Sequence, residues 1–518
     1  MSQKLAHDSD YAPIDVADLE KAGPIIPNEQ DIESASNAEH AYSIFERREK
    51  LTIVVITAFT TVLPPLTASI YYPVITMLAQ DLDVSVNDIN LTITAYLIVQ
   101  GIAPSLTGNL SDETGRRPAL IICFVLYIAG SIGAAVKGNY AVLMAMRCLQ
   151  AAGISGTMSL SLATVSDIVT SAERGKYTSY VQMGWMVGPT FAPVIGGSLS
   201  QYLGWRSIFW FLTIFTSVVF ITLLIFLPET SRNIVGNGSI TAPRWNMSLL
   251  TYIQSRPKRH ENHINTPPSQ PNTHSRKFHL SELNPLRSVK LFFTDKETSI
   301  LLLYSGSIYA STYMVLSSMS SQLQSRYNLT TLQASLCYFS TGFGTMASVL
   351  LIGRLQDWNF HRHAHLAGIP ISKDKQQDLS IFPVELARLQ LALPSLLLSG
   401  ITLIIYTWTL QKQTHLAVPL VFLFFQSFGG SCAYSCFNNL IMDLNREKPG
   451  TASAALNLSR CWMGAGGVAF VGPLNRVAGV GWMGVTIAGA WLVFSPFVVW
   501  VVRSGPRWRA EKALREEH

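Results

Sequence analysis

The amino-acid sequence predicts an all-α membrane protein with twelve transmembrane helices arranged as two pseudo-symmetric bundles of six. Three observations carry this. Twelve apolar segments of about 20 residues recur along the 518-residue chain, and that is the length a helix needs to cross a bilayer. Lys and Arg concentrate on one side of the implied membrane, and the two halves of the chain echo each other at matching positions. Composition agrees: 48% of residues are hydrophobic and 14% charged, with a mean hydropathy of +0.27, against roughly 25% charged in an ordinary soluble domain. So little charge cannot coat several water-exposed domains. The net charge of +6 does not argue for nucleic-acid binding unless it is clustered, and no nucleic-acid partner is expected.

Residues 1–50 hold eleven acidic and five basic residues and no apolar core. They lack the basic start and continuous apolar stretch of a signal peptide, so a disordered cytosolic tail is expected. The apolar segments of the first half are 51–72, 89–108, 118–136, 140–169, 177–200 and 207–227. Those of the second are 298–321, 330–352, 389–411, 416–442, 451–474 and 481–502. In lipid every backbone polar group needs an internal partner, so each segment is a helix. The expected organisation is a bundle over 51–227, a cytosolic linker over 228–297, a second bundle over 298–502 and an unstructured cytosolic tail over 503–518. The linker carries prolines, histidines and basic clusters such as Arg256-Pro257-Lys258-Arg259. It reads as a flexible, solvated loop attracted to anionic lipid, with an amphipathic surface helix near Leu280–Leu291.

With both termini inside, the cytoplasmic segments hold 31 Lys and Arg and the outer loops hold 5, while Arg147 and Arg460 lie within spans. This asymmetry follows the positive-inside rule. The six cysteines, Cys123, Cys148, Cys337, Cys432, Cys436 and Cys461, all fall in apolar runs and are expected as reduced, packed thiols. No metal site or cofactor is expected.

The halves repeat. Gly108-Asn109-Leu110-Ser111-Asp112 follows the second span, and Gly353-Arg354-Leu355-Gln356-Asp357 follows the eighth. Arg117 and Arg362 come five residues later. Asp167 and Asp443 end the fourth and tenth spans, each followed by a glycine, Gly175 and Gly450. Trp185-Met186 and Trp462-Met463 stand in the fifth and eleventh. Matches in this order indicate duplication of a six-helix unit, and two similar bundles can rock about a central site.

The loop Gly108–Pro118 reads GNLSDETGRRP. Gly108 is expected to let helices approach closely, and Asp112 to cap the N-terminus of a facing helix. Arg116 and Arg117, beyond Gly115, are expected to bridge to carboxylates such as Asp167 or Glu173, forming a latch made in one conformation and broken in the other. Asp357 is expected to serve the second half in the same way. The blander reading is a charged loop that only sets topology. The eleven-residue segment resembles the cytoplasmic loop motif of the major facilitator superfamily, which implies that fold and alternating-access transport.

In the fourth span, Arg147-Cys148-Leu149-Gln150 places a charge in the membrane, where a functional role is the default. The segment resembles the motif of proton-coupled members of the superfamily, which implies a part for Arg147 in proton transfer. The alternative is that Arg147 snorkels to the interface. Arg460, one turn from Asn457, is the second intramembrane charge and is better placed for a cavity. The fifth span reads GWMVGPTFAPVIGG from Gly184 and resembles the antiporter motif of drug:proton exporters at Gly188, Pro193, Gly196 and Gly197, though Ala192 stands where a glycine is usual. Small-residue helix packing explains the same residues.

The stretches LGWRSIFWFLTIF (203–215), LPETSRNIVGNGS (227–239) and NLSRCWMGAGGVA (457–469) extend the resemblance. They are similar to the fungal twelve-helix drug:proton antiporter family, in the branch of quinidine-resistance-type and citrate exporters. This implies a small organic substrate, protons as coupling ion, a monomer, and residence as a multi-pass protein of the plasma membrane.

The middle of every span lacks Asp and Glu. A proton carrier is therefore an end-placed carboxylate such as Asp112 or Asp167, or the substrate itself. Two arginines without acidic partners favour a substrate with negative charge. Trp185 stands where citrate-type exporters carry a further arginine, which disfavours a tricarboxylate and leaves a monoanion or neutral amphipathic metabolite open. Gln150, Gln182, Trp185, Asn438 and Asn457 join the candidate pathway, with Tyr71, Tyr72, Gln100, Tyr304, Tyr309 and Gln426 as further polar positions. The sequence has no HExxH, GxSxG or GxxxxGK, so catalysis is not expected. Three readings stand: exporter of a drug or secondary metabolite, organic-acid exporter, and non-transporting sensor, the last disfavoured by short tails. Asn328-Leu329-Thr330 is the expected glycosylation site.

Overall fold

A computed structural model describes residues 43–255, 295–366, 368, 384–445 and 449–516, apart from positions 137, 170, 239, 241, 244 and 245. The chain enters α1 (Arg47–Asp81), where the Glu49 carboxylate accepts the Glu46 N–H at 3.1 Å. Pro64 and Pro65 sit inside this helix, and a 3-10 turn at Tyr72–Val74 interrupts it. α2 (Val86–Thr114) starts from a reciprocal cap. The Ser85 hydroxyl accepts the Asp88 N–H, and the Asp88 carboxylate accepts the Ser85 N–H. α3 (Arg116–Val136), α4 (Tyr140–Ile168), α5 (Ser171–Leu203) and α6 (Arg206–Phe226) complete the first set. The second set is α7 (Lys296–Tyr327), α8 (Thr331–Leu366), α9 (Val384–Gln411), α10 (Ala417–Leu444), α11 (Pro449–Val477) and α12 (Gly479–Glu516).

Ten of these helices are long and apolar enough to cross a membrane. The other two, α5 and α11, run 33 and 29 residues and occupy the fifth and eleventh places. They are less apolar because they spend surface on glycine contacts rather than on lipid. A Cβ at Gly188 would meet the Leu66 backbone nitrogen at 2.8 Å, and one at Gly467 would meet the Ala310 carbonyl at 3.0 Å. α1 therefore packs directly on α5, and α7 on α11. In contrast, Trp210, Ile214, Val218 and Ile221 of α6 are exposed at spacings of three and four, which is one helix face and the face a bilayer would cover.

One expectation changes at the C-terminal end and one in the linker. The sequence predicts no structure from 503 onward, yet α12 continues to Glu516. Arg509 pairs with the buried Glu385 at 2.7 Å, and Trp508 packs edge-on against Trp500, so helix-forming residues there have a surface to dock on. Within the segment joining the two sets, short helices occur at Arg232–Val235 and Leu249–Ser255. The amphipathic helix expected near 280–291, and residues 1–42 of the first tail, lie outside the described residues.

The two six-helix sets are tied together at the end remote from the termini. Thr76 donates to Gln324 at 2.7 Å, Ser320 to the Pro73 carbonyl at 3.1 Å, and the Leu332 N–H to Gln201 at 2.8 Å. Tyr72 and Tyr338 stack with centroids 6.5 Å apart. Deeper in, Thr94 reaches the Ala465 carbonyl and the Asn457 amide donates to the Gln100 carbonyl at 3.2 Å. Toward the other end, Gly108 of α2 and Gly353 of α8 have nothing within 4 Å of a Cβ position. The close helix contact expected at Gly108 is absent from this conformation, because the halves part before reaching it.

Candidate functional site

Arg147 and Arg460 define two centres, one in each half. Arg147 of α4 is 1% exposed, so it does not snorkel. Its guanidinium lies over the rings of Tyr71 and Tyr96, at 4.3 and 4.4 Å from their centroids. It donates to the Gln150 side-chain oxygen at 3.1 Å, and Gln150 donates onward to Ser131 at 2.9 Å. Tyr71 is held in turn by a 3.0 Å hydrogen bond with Thr92.

Arg460 of α11 is 9% exposed. Its guanidinium lies 4.9 Å from the centroid of Trp185 and 5.1 Å from that of Tyr309. It donates to the Asn457 side-chain oxygen at 2.7 Å. Tyr309 packs on Tyr313 and Tyr434, at 5.2 and 4.9 Å between centroids. This centre draws on both halves, since Trp185 belongs to α5. A charge in a membrane-spanning helix costs about 2.5–3.5 kcal/mol. Each aromatic face returns about 0.5–2 kcal/mol, so the rings offset much of that cost without a counter-ion. Among the described residues, the Nε atoms of both arginines, the Tyr96 hydroxyl and the Gln100 Oε1 are buried without a hydrogen-bond partner.

The other candidate pathway residues divide. Gln182 is exposed, one turn from Trp185 on α5. Tyr72 lies at the tied end in its stack with Tyr338. Tyr304 turns away from the centre, donating to the Trp491 carbonyl and packing on Phe437. Gln426 is buried beside Ser427. Asn438 is half-buried, one turn from Tyr434 on α10, and its neighbour Asn439 donates to Gln356 at 2.7 Å.

At the open end, Arg116 bridges Asp112 at 2.8 Å and Asp167 at 2.9 Å, and also donates to Ser111. Asp112 does not cap a facing helix. Its side chain is 63% exposed, and the cap belongs to Glu229, which sequence reasoning missed. The Glu229 carboxylate accepts the backbone N–H groups of Arg116 (2.9 Å), Arg117 (3.2 Å), Thr230 (3.0 Å) and Ser231 (2.9 Å), and the Asn246 amide at 2.7 Å. An anion at a helix N-terminus satisfies the first-turn donors of α3. Gly115, at φ +108°, is needed for the turn, and a Cβ there would collide with the Glu229 carboxylate. The Arg117 guanidinium meets no acid side chain among the described residues; it donates to the carbonyls of Leu227 and Leu224.

The second half repeats this with a shifted register. Arg388 of α9 pairs with Asp443 of α10 at 3.1 Å, the positional match of Arg116 with Asp167. Arg388 also donates to Gln356 at 3.2 Å. The expected counterpart Arg362 instead lies over Trp358. Asp357 is exposed and, among the described residues, only its carbonyl meets a side chain, that of His361. One helical position separates Gln356 from Asp357, and that rotates the side chain from the bundle to the surface. On α5, Gly188 and Gly196 pack on α1 and Gly197 on Ser335 of α8, while Pro193 is buried beside them. Asn328 is exposed in the α7–α8 turn, at φ +52°.

The pattern described as Major Facilitator Superfamily matches residues 57–468. A curated relative, MFS-type transporter phiD of a fungal species (strain ATCC 74256), is 40% identical over 487 residues, which is 94% of this chain and 73% of that protein. Citrate exporter 1 of Aspergillus niger is 34% identical over 501 residues, covering 95% of this chain and 93% of that protein. Among solved structures, a D-xylose–proton symporter superposes with a TM-score of 0.60 at 15% identity, over 88% of this chain and 96% of that one. At that identity the likeness concerns the fold alone. Family pattern, relatives and fold agree: this chain belongs to the major facilitator superfamily and is a membrane transporter.

Proposed function

We propose that the protein is a secondary active exporter of a small organic metabolite, working by alternating access and coupled to protons. One observation carries the reading. The halves are tied at the end away from the termini, while at the other end Gly108 of α2 and Gly353 of α8 have nothing within 4 Å of a Cβ position. That is one member of the pair of states a rocking transporter needs. The 31-to-5 bias of Lys and Arg supports placing the termini in the cytosol, so this state opens inward and takes up substrate from the cell. The Arg116–Asp112–Asp167 and Arg388–Asp443 pairs each join helices of one half and hold that half together as it tilts. In this reading Asp167, the more buried of the two carboxylates on Arg116, carries a proton in that exchange. A monomer in the plasma membrane is the simplest arrangement consistent with it.

The test compares culture medium and cell extract from a strain lacking the gene and from its parent. Export predicts at least one small metabolite lost from the medium and enriched in the cells, restored by the wild-type gene. Identical profiles would contradict it.

A further inference from the structure

Granting the transport reading, we propose that the substrate is an amphipathic carboxylic acid, gripped through its carboxylate groups by Arg460 and Arg147 and through its apolar body by the aromatic rings around them. Both guanidinium groups are more than nine-tenths buried, and among the described residues neither meets a carboxylate. Arg116, Arg388 and Arg509, by contrast, each form ion pairs. Arg147 and Arg460 each keep an Nε donor unused. Between them lies Tyr96, whose ring faces Arg147 at 4.4 Å and which is within electrostatic reach of Arg460 as well. Its hydroxyl is also unpartnered.

Free donors with net positive charge are completed by an anion. A cationic drug would meet two positive charges and no negative one, while the aromatic faces suited to a cation are already occupied by the protein's own guanidinium groups. A neutral lipid-like molecule would leave the buried donors unpaired. A planar carboxylate matches the guanidinium fork. Gln100 Oε1, also unpartnered, is an acceptor, so the acid is expected to carry a hydroxyl or a protonated carboxyl beside its anionic group. Trp185, Tyr309 and Tyr71 then offer ring surface to an apolar or aromatic portion.

The test uses the full chain in lipid nanodiscs with three probes that share a phenyl ring and differ in charge: phenylsuccinate, its dimethyl ester and phenylethylammonium. Tryptophan fluorescence and thermal shift report binding. The expected result is at least tenfold tighter binding of phenylsuccinate than of either other probe. Arg460→Gln and Arg147→Gln should each remove most of that preference, and Arg460→Lys should keep part of it. Equal or tighter binding of the ester or the cation, or no binding of phenylsuccinate, overturns the proposal. The deletion-strain comparison separates this from failure of transport itself. A retained metabolite that gains a methyl group for each carboxyl on esterification supports the acid. A retained neutral or basic metabolite overturns the acid and leaves transport standing, and no retained metabolite overturns the transport reading.

Discussion

Trp185 of α5 lies over the guanidinium of Arg460 of α11, 4.9 Å from ring centroid to charge. The contact crosses between the two halves, so a rocking motion must stretch or re-form it. A cation–π contact is worth about 0.5–2 kcal/mol, or roughly a two- to thirtyfold change in an equilibrium constant. Trp185→Ala should therefore weaken substrate affinity within that range, and Trp185→Phe should weaken it less. Transport kinetics at graded substrate concentration check this; an unchanged apparent affinity in Trp185→Ala would contradict it.

Glu229 holds the start of α3 through the backbone N–H groups of Arg116 and Arg117, and is itself held by those of Thr230 and Ser231 and by Asn246. Hydrogen bonds to a charged group contribute about 1.5–3 kcal/mol each and do not add fully. Glu229→Ala is expected to cost about 2–4 kcal/mol and lower the unfolding midpoint of the purified protein by several degrees. Asn246→Ala, which removes one partner only, should lower it less.

The two acids paired with Arg116 are not equivalent. Side-chain exposure is 63% at Asp112 and 11% at Asp167, and exposed ion pairs contribute about 0–1 kcal/mol. Asp167→Asn should reduce transport per surface molecule sharply, and Asp112→Asn much less. The parallel test in the second half is Asp443→Asn, which removes the carboxylate paired with Arg388 and is expected to behave like Asp167→Asn. A larger effect at Asp112 than at Asp167 would contradict the ranking.

Gly108 and Gly353 face open space in this state. Gly108→Leu and Gly353→Leu should thus fold and reach the membrane in normal amount. Transport should nonetheless fall at least tenfold, because the opposite state brings these helix ends together. Surface labelling alongside transport assays checks both halves of the statement, and normal transport would show that the ends never approach.

Asn328 is exposed at the α7–α8 turn, with Thr330 exposed two residues on. A glycosidase should increase the gel mobility of the wild-type protein and leave Asn328→Gln unchanged.

Much of the fold is legible in the sequence because apolar length and charge asymmetry are sums over many residues and tolerate local error. The features that escape depend on single positions. Glu229 is 113 residues from Arg116, and nothing local in the LPETSR stretch says which helix its carboxylate will cap. Asp357 stands one residue from Gln356, the side chain that enters the network; an imperfect repeat locates a turn of helix, not the face within it. Arg388 escapes because the repeat points to the loop after the eighth span, whereas it sits on α9 in the place that α3 gives to Arg116. The arginines themselves stand out, being charges in apolar runs. Their aromatic surroundings do not, since Tyr96, Tyr313 and Tyr434 come from three different helices.

The most direct measurement is export per surface molecule by Arg460 variants, with abundance measured in the same cells. Arg460→Lys keeps the charge but loses the fork that grips a carboxylate, so it should export with weakened affinity. Arg460→Ala should nearly abolish export from molecules that still reach the membrane. A normal per-molecule rate in Arg460→Ala, even at reduced abundance, would contradict the account and leave Arg460 a purely structural residue.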